Sequence, residues 1–157
     1  MQLIKLDPSF YADHTHLVQA LDNHNGVWDA GKVRGYGIVA ITINKLTFGI
    51  PLRTNITHSA AYLTVRNINP NTKIKGKGLD FSKALLIKNP SYISSEIYKI
   101  PVVEHKKLLS KQHHITQLFD KYLTRYIDAV RKKDIHILNS NEYRHTTLQN
   151  YHVELGI

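Results

Sequence analysis

Apolar residues recur at two different spacings along this chain, and the change between them predicts helices towards both ends with strands between them. Asp7 and Pro8 provide a side-chain cap and a pre-set first turn, and the helical spacing that follows predicts a first helix over 8–21. The longest helical stripe, from Ile115 to Val130, predicts one long C-terminal amphipathic helix. A shorter helix is expected over 141–152.

The middle of the chain alternates apolar and polar residues and is rich in β-branched side chains, a pattern typical of strands. Segments 35–43 and 46–52 both follow this pattern, and Asn44 and Lys45 lie between them. A polar connection of only two residues between two alternating runs is the usual signal of a tight turn. These segments therefore predict a β-hairpin.

Shorter elements are expected on the C-terminal side of the hairpin. Segments 61–65 and 84–87 predict strands, with a basic loop over 67–78 between them, and 101–103 is interpreted as a short extended piece. Too little chain separates the strands for helical crossovers. The pattern thus predicts a single α+β domain over 1–157, built on a compact antiparallel sheet or small barrel with flanking helices.

The charge balance favours an anionic partner. Lys and Arg total 21 against 12 Asp and Glu, which gives a formal net charge of +9. Such a field attracts polyanions, although an excess of charge also serves solubility. Nine Tyr and ten His favour RNA over lipid, because aromatic rings stack on unpaired bases and imidazoles move protons near neutral pH.

Cysteine is absent, which excludes disulfides and thiolate zinc sites. The start of the chain lacks the apolar stretch and cleavage site of a secretory signal, and no apolar run approaches the roughly 18 residues of a membrane span. We therefore expect a cytoplasmic protein that does not enter the membrane.

The strongest candidate site is the segment 50–58, where a hydrophobic strand ends in several polar functions. RNA cleavage without a metal requires removal of a 2′-hydroxyl proton, stabilisation of extra negative charge on phosphorus, and protonation of the departing 5′-oxygen. Arg53, Thr54 and Asn55 would supply charge and hydrogen bonds, and His58 would supply proton transfer. The alternative interpretation is a polar turn after a strand.

A second candidate patch lies at 77–83, where a loop rich in Lys and Gly brings Ser82 and Lys83 to the start of an apolar strand. Backbone amides in such a loop can hold a phosphate, although a plain turn with a solvated lysine explains the same residues. Further RNA-binding candidates flank these segments or lie on the first helix, and each is alternatively an ordinary surface or core residue. They are Tyr11, Lys32, Arg34, Tyr36, Lys75 and Lys77.

The histidines raise the question of a metal site, and their spacing argues against one. The adjacent pair His113 and His114 and the pair His14 and His16 lack both the HExxH spacing and a companion acidic cluster. No phosphate-loop or dinucleotide-binding glycine motif is present. We therefore expect neither a metal nor a cofactor.

Several short motifs follow one another in a characteristic order. They are Tyr36-Gly37-Ile38-Val39, Ile50-Pro51-Leu52-Arg53-Thr54-Asn55-Ile56 with His58 after it, Gly78-Leu79-Asp80-Phe81-Ser82-Lys83-Ala84, the long helix, and Leu148-Gln149-Asn150-Tyr151-His152 before Glu154-Leu155-Gly156. This ordered set, over nearly the whole chain, resembles the toxins of type III toxin-antitoxin systems, the ToxN/AbiQ group and especially its TenpN-like branch. In the ToxN branch the strand-end motif is closer to Thr-Ser-Pro-Lys, so Arg53 would replace the cation and Thr54 would take the hydroxyl position.

The resemblance implies a strongly bent, barrel-like sheet, similar to that of Kid/MazF-type toxins, and a metal-independent, sequence-selective endoribonuclease. It also implies a messenger RNA substrate, a role in phage defence, and a repeat-derived pseudoknot RNA antitoxin that blocks the toxin in a closed protein–RNA hetero-oligomer. The expected reaction is 2′-hydroxyl attack that leaves a 2′,3′-cyclic phosphate and a 5′-hydroxyl. In it Arg53 would stabilise charge, Thr54 and Asn55 would position the phosphate, and His58 and Lys83 would serve in proton transfer or electrostatics.

Two other functions fit parts of the same pattern. A non-catalytic RNA-binding module explains the charge and the aromatic residues without any proton-transfer group. A DNA-binding regulator would place the long helix in a major groove, but the apolar stripe of that helix is broad and its outer face carries few side chains suited to base edges.

Overall fold

The alternating middle of the chain forms most of a seven-stranded antiparallel sheet, and two further strands make a separate ribbon. These elements are seen in a computed structural model that describes residues 3–29 and 37–157. Together with the helices below, they confirm the predicted α+β class. The strands are β1 (Leu3–Leu6), β2 (Asn23–His24), β3 (Val27–Trp28), β4 (Ile38–Ile43), β5 (Leu46–Ile56), β6 (Ala61–Arg66), β7 (Gly76–Asp80), β8 (Leu85–Leu86) and β9 (Ile93–Ile97).

The main sheet is open, so the prediction of a barrel is wrong. Its strands lie in the order β6-β7-β5-β4-β1-β9, with β8 also paired to β5, and among the described residues β6 and β9 do not pair with each other. The edge of β6 is covered instead by a helix (Val102–Ser110), whose Lys107 Nζ donates to the carbonyl of Thr64 at 3.0 Å. A side chain therefore takes a backbone acceptor that a closing strand would need.

The predicted hairpin is confirmed as β4 and β5, with Asn44 and Lys45 both at positive φ in the turn. β5 is longer than predicted because a second partner strand extends its pairing. One edge of β5 pairs with β4, and the opposite edge pairs first with β8 and then with β7. Near Phe48 it pairs with β8, and from Leu52 onward it pairs with β7. Between these two partners the chain makes a 3₁₀ turn, Phe81–Lys83, which places the second candidate patch beside the first.

Strand β7 occupies part of the segment that was predicted to be a loop. Its glycines and lysine have low strand propensity, which explains the prediction. Gly78 is nevertheless required at its position, because a Cβ there would lie 2.0 Å from the carbonyl oxygen of Tyr62 on β6. The glycine thus allows close approach of two backbones rather than ending the strand.

The helices are α1 (Pro8–Asp13), α2 (Val102–Ser110), α3 (Gln112–Lys132), α4 (Ile135–Leu138) and α5 (His152–Leu155). α1 begins as expected, with the Asp7 carboxylate accepting from the Ser9 amide at 2.9 Å, but it ends well before residue 21. The ring Nδ1 of His14 lies 2.6 Å from the carbonyl of Phe10, the acceptor that the next helical amide would use. α2 begins within the segment that was interpreted as extended.

The apolar stripe of α3 packs on the sheet, with the Phe119 ring 5.3 Å from that of Phe48. α4 and α5 follow α3, so this helix is not the C-terminal element. The shorter helix expected over 141–152 is instead a series of turns before α5, because Thr146 caps a 3₁₀ turn and Thr147 Oγ1 donates to the carbonyl of Ala84. Within residues 3–29 and 37–157, no helix is both long and apolar enough to cross a bilayer.

Candidate active site

A cavity of about 660 Å³ opens where β5 changes partner from β8 to β7. Four residues singled out in the sequence line it, namely Arg53, His58, Ser82 and Lys83. Six residues that the sequence did not single out also line it, namely Gln19, Thr57, Lys73, Asn141, Arg144 and His145. Four of these ten side chains are permanent cations, so we call it the cationic cavity.

Asp80 anchors the floor of the cationic cavity, although it is completely buried. Its Oδ2 accepts from Nη1 of Arg53 at 2.7 Å. Its Oδ1 accepts from both the hydroxyl and the backbone amide of Ser82, at 2.6 and 3.0 Å, and lies 3.3 Å from Nε2 of His58. One carboxylate therefore holds three of the candidate residues in place.

The strand register explains how Arg53 reaches this carboxylate. Arg53 on β5 lies directly opposite Gly78 on β7, and Asp80 lies two residues further along the same face. Such a diagonal pair of positions on neighbouring strands brings the guanidinium within reach of Asp80. The carboxylate in turn caps the 3₁₀ turn that carries Ser82 and Lys83.

The surroundings of Asp80 keep it ionised. Burial by itself raises the pKa of this carboxyl, but the hydrogen bond and charge of His58 and the hydrogen bonds of Ser82 and Arg53 outweigh burial and lower the pKa. A buried carboxylate is costly unless it is paired and hydrogen-bonded. Asp80 meets that condition only through the residues that line the cavity.

The hydrogen bonds of His58 define its tautomer. Nδ1 accepts from the backbone amide of Ala60 at 3.2 Å, so the proton of the neutral ring is assigned to Nε2. Nε2 lies 3.3 Å from Oγ of Ser82, whose own proton is directed to Asp80. The order Nε2–H to Ser82 to Asp80 gives each polar atom a compatible partner.

Lys83 joins two distant parts of the chain at the cavity wall. Its Nζ donates to the carbonyls of Gln19 at 2.9 Å and His145 at 2.8 Å. Burial lowers the pKa of the Lys83 ammonium, an effect that the charge of Asp80 opposes and that of Arg53 reinforces. A lysine ammonium has three N–H donors, so this group is oriented by two bonds and keeps one more for a ligand.

Thr54 and Asn55, both assigned to phosphate positioning, are exposed beyond Arg53 and do not line the cationic cavity. Tyr11 is also misplaced by the sequence interpretation. It is 5% exposed and packs edge-on against Trp28 at 5.1 Å, so it belongs to the core.

The predicted RNA-binding lysines lie on different surfaces. Lys77 pairs with Glu104 of α2 at 2.9 Å, away from the cationic cavity. Lys75 is exposed and donates to Oγ of Ser59 at 3.0 Å, next to His58 in sequence. The other candidates of this group, Lys32, Arg34 and Tyr36, lie outside the described residues.

The sequence interpretation missed the cations that enter from distant segments. Lys73 belongs to the basic loop that was noted as a whole, so its composition was the available signal. Arg144 and His145 lay in a segment interpreted as helix, and nothing local marked them. Asp80 was noted only as a turn residue, because burial cannot be seen in a single sequence.

A second cavity of about 800 Å³ shares Gln19, Arg53 and Lys83 with the cationic cavity and continues along residues 15–26 and Asp29. The shared residues make the two cavities one groove. Its Lys and Arg side chains all belong to the cationic cavity and the extension adds Asp22 and Asp29, so the charge favours a phosphate at the cationic end of the groove.

Among the described residues, no three His, Asp or Glu side chains are arranged to hold a metal ion. No family model matches the sequence, and neither the curated proteins nor the solved structures include a significant match. The site is therefore described by its own residues, as a cavity lined by four Lys and Arg side chains and by His58, with the buried Asp80 carboxylate hydrogen-bonded to the lining residues Arg53 and Ser82.

Proposed function

We propose that this chain is a metal-independent, sequence-selective endoribonuclease, the toxin of a type III toxin-antitoxin system. The observation that carries the proposal is that Arg53, His58 and Lys83 line one cavity. Residues on separate faces could not act on one phosphodiester, so their presence in a shared cavity supports the proposal by meeting its first geometric condition.

In the proposed reaction the 2′-oxygen of the substrate attacks phosphorus and the bond to the 5′-oxygen breaks. The products are a 2′,3′-cyclic phosphate and a 5′-hydroxyl, and one proton leaves the 2′-oxygen while another reaches the 5′-oxygen. Arg53, which is 30% exposed and held by Asp80 through one nitrogen, stabilises the charge that develops on phosphorus.

His58 and Lys83 are the proton-transfer groups of the proposal. For His58 to accept the 2′-hydroxyl proton, Nδ1 must exchange the Ala60 amide for the substrate, because Nε2 already carries a hydrogen. Lys83 is positioned to donate to the departing 5′-oxygen, and its lowered pKa makes release of a proton easier.

The proposed partners follow from the charge and the length of the groove. The net charge of +9 and the continuous groove suit a messenger RNA substrate and a folded RNA antitoxin that competes for the same surface. We further propose a closed protein–RNA hetero-oligomer that acts in the cytoplasm, where both RNAs are present, and contributes to phage defence.

The test is incubation of the purified protein with RNA in EDTA, followed by analysis of the product ends. We expect cyclic phosphate ends from the wild type and a loss of at least about 10² in rate for Arg53→Ala. Arg131→Ala is the matched control, because Arg131 is an exposed arginine at the end of α3. An Arg53→Ala protein that cleaves at the wild-type rate contradicts the assigned role.

A non-catalytic RNA-binding module is the second candidate, and one observation favours it. The proposed base is not free, since both ring nitrogens of His58 have hydrogen-bond partners within the protein. Such a site is ordered for binding without any proton acceptor free. RNA that is retained by the protein in EDTA and remains uncut would select this function over the nuclease.

A further inference from the structure

A smaller cavity of about 240 Å³ borders the cationic cavity, and we call it the side cavity. Three chain segments line both cavities with neighbouring residues. In segment 57–60, Thr57 and His58 line the cationic cavity, and Ser59 and Ala60 line the side cavity. Likewise Ser82 and Arg144 line the former, while their neighbours Phe81 and Tyr143 line the latter. These three segments therefore contribute to the walls of both cavities.

The interior of the side cavity is apolar and aromatic. Ala60 and Phe81 are 6% and 3% exposed, and Leu118 of α3 completes this surface. The rings of Tyr122 and Tyr143 stack 4.6 Å apart, and both hydroxyls donate to backbone carbonyls. The interior therefore presents mainly hydrocarbon surface, since the aromatic rings behind it are packed against each other, and such a surface suits the apolar part of a flat ring.

The rim of the side cavity carries charges of both signs. Arg125 lies over the ring of Tyr143, with its guanidinium carbon 5.7 Å from the ring centroid, and Lys121 precedes it by one turn of α3. Glu142 supplies a carboxylate on the opposite segment. A nucleobase has apolar faces and an edge of donors and acceptors, so this combination of interior and rim matches it.

The size of the side cavity restricts the occupant. Its volume lies below the roughly 300–1,000 Å³ of sites for drug-sized ligands, so it accommodates a single heterocycle. We propose that the side cavity binds the nucleobase adjacent to a phosphate held in the cationic cavity. The Glu142 carboxylate accepts from the exocyclic amino group of that base and so disfavours uracil, which has none. This inference rests on the proposed function, because it requires RNA in the cationic cavity.

The test measures binding of uncleavable 2′-O-methyl RNA in which each position in turn is abasic. We expect one abasic position to weaken binding by about 10-fold or more, the usual effect of losing one base contact. Ala61→Leu, which adds a side chain at the lining of the side cavity, should abolish that penalty. Ala12→Leu, on an exposed position of α1, is the matched control and should preserve it.

Glu142→Gln provides a second variant that does not depend on filling the cavity. We expect it to reduce the preference for an amino-bearing base over uracil at the same position, because a neutral amide accepts more weakly than a carboxylate. An abasic penalty that survives Ala61→Leu overturns the assignment of the base to the side cavity, and a base preference that is unchanged in Glu142→Gln overturns the role of the Glu142 carboxylate.

The proposed function and this inference fail separately. Cleavage by the wild type without any position-specific abasic penalty supports the nuclease and overturns the base site. A position-specific penalty that Ala61→Leu removes, in a protein that leaves natural RNA uncut, supports the base site and overturns the nuclease.

Discussion

Asp80→Asn is the perturbation that tests the architecture of the site most directly. Oδ2 of the buried carboxylate accepts from Arg53, and Oδ1 accepts from the backbone amide of Ser82, and neither donor can accept a hydrogen bond in turn. An asparagine has the same shape but only one oxygen, so its amide nitrogen must face one of these two donors. The substitution thus breaks an ion pair and sets a donor against a donor without creating a cavity.

The magnitude follows from burial of the pair. Removing one partner of a buried ion pair costs about 3–5 kcal/mol, and a hydrogen bond to a charged group contributes about 1.5–3 kcal/mol. Because the Arg53 side chain is 30% exposed and keeps some hydration, we expect a loss near the lower limit, about 3 kcal/mol. In a domain of this size that loss lowers Tm by about 6–12 °C.

The assay is thermal unfolding followed by circular dichroism. Glu154→Gln is the matched control, since Glu154 pairs with Lys88 at the surface and its loss should cost no more than about 1 kcal/mol. If Asp80→Asn lowers Tm by less than about 2 °C, the carboxylate does not hold an ionised network and the reasoning fails.

The pH dependence provides a second check on the same variant. Because the pKa of Asp80 in the folded protein lies below the ordinary 3.8, its ionised form stabilises the fold fully above that value. The stabilisation is lost as the pH falls through the lowered pKa. The Tm difference between wild type and Asp80→Asn should therefore shrink as the pH falls below about 3.8.

Three further variants separate catalysis, loop attachment and binding. Lys83→Met should reduce RNA cleavage by about 10² or more, whereas cleavage by Lys132→Ala should not change, and equal rates would exclude Lys83. Asn150→Ala removes two bonds to the Val18 backbone, at 2.8 and 2.7 Å, so it should cost about 1–2 kcal/mol. Hydrogen exchange at the Val18 amide should accelerate, and unchanged exchange would contradict the contact. Arg144→Ala should reduce the salt slope of RNA binding by about 0.7 with little change in Tm, and an unchanged slope would remove Arg144 from the phosphate contacts.

Local pattern was sufficient where an element is determined by its own residues. The hairpin follows from β-branched alternation around Asn44 and Lys45, whose left-handed backbone fits a tight turn. Strand β7 was missed because glycine has low strand propensity. Gly78 is required there because the backbone of β6 approaches too closely for any side chain, and the sequence of β7 alone does not show this approach. The open sheet could not be predicted from local pattern either. The edge of β6 is covered by Lys107 of α2, which is distant in sequence from its acceptor Thr64.

The candidate site divides in the same way. Arg53 and His58 were predicted because polar functions at the end of a buried strand are unusual, and Lys83 because a basic loop precedes it. Lys73 and Arg144 reach the cavity only because the fold brings their segments to it. The spacing of residues along the sequence does not show this proximity. Thr54 and Asn55 share the local signal of Arg53, yet they lie outside the cavity.

The buried carboxylate connects stability with the proposed chemistry. Asp80 remains charged in the interior only because Arg53, His58 and Ser82 face it, and two of these, Arg53 and His58, have roles in the proposed reaction. Loss of Asp80 must therefore damage both the fold and the site. Arg144 makes no ion pair with the described residues, so its charge is available to a ligand and contributes little to folding. We therefore expect substitution of Asp80 to lower Tm and substitution of Arg144 to change RNA binding with little effect on Tm.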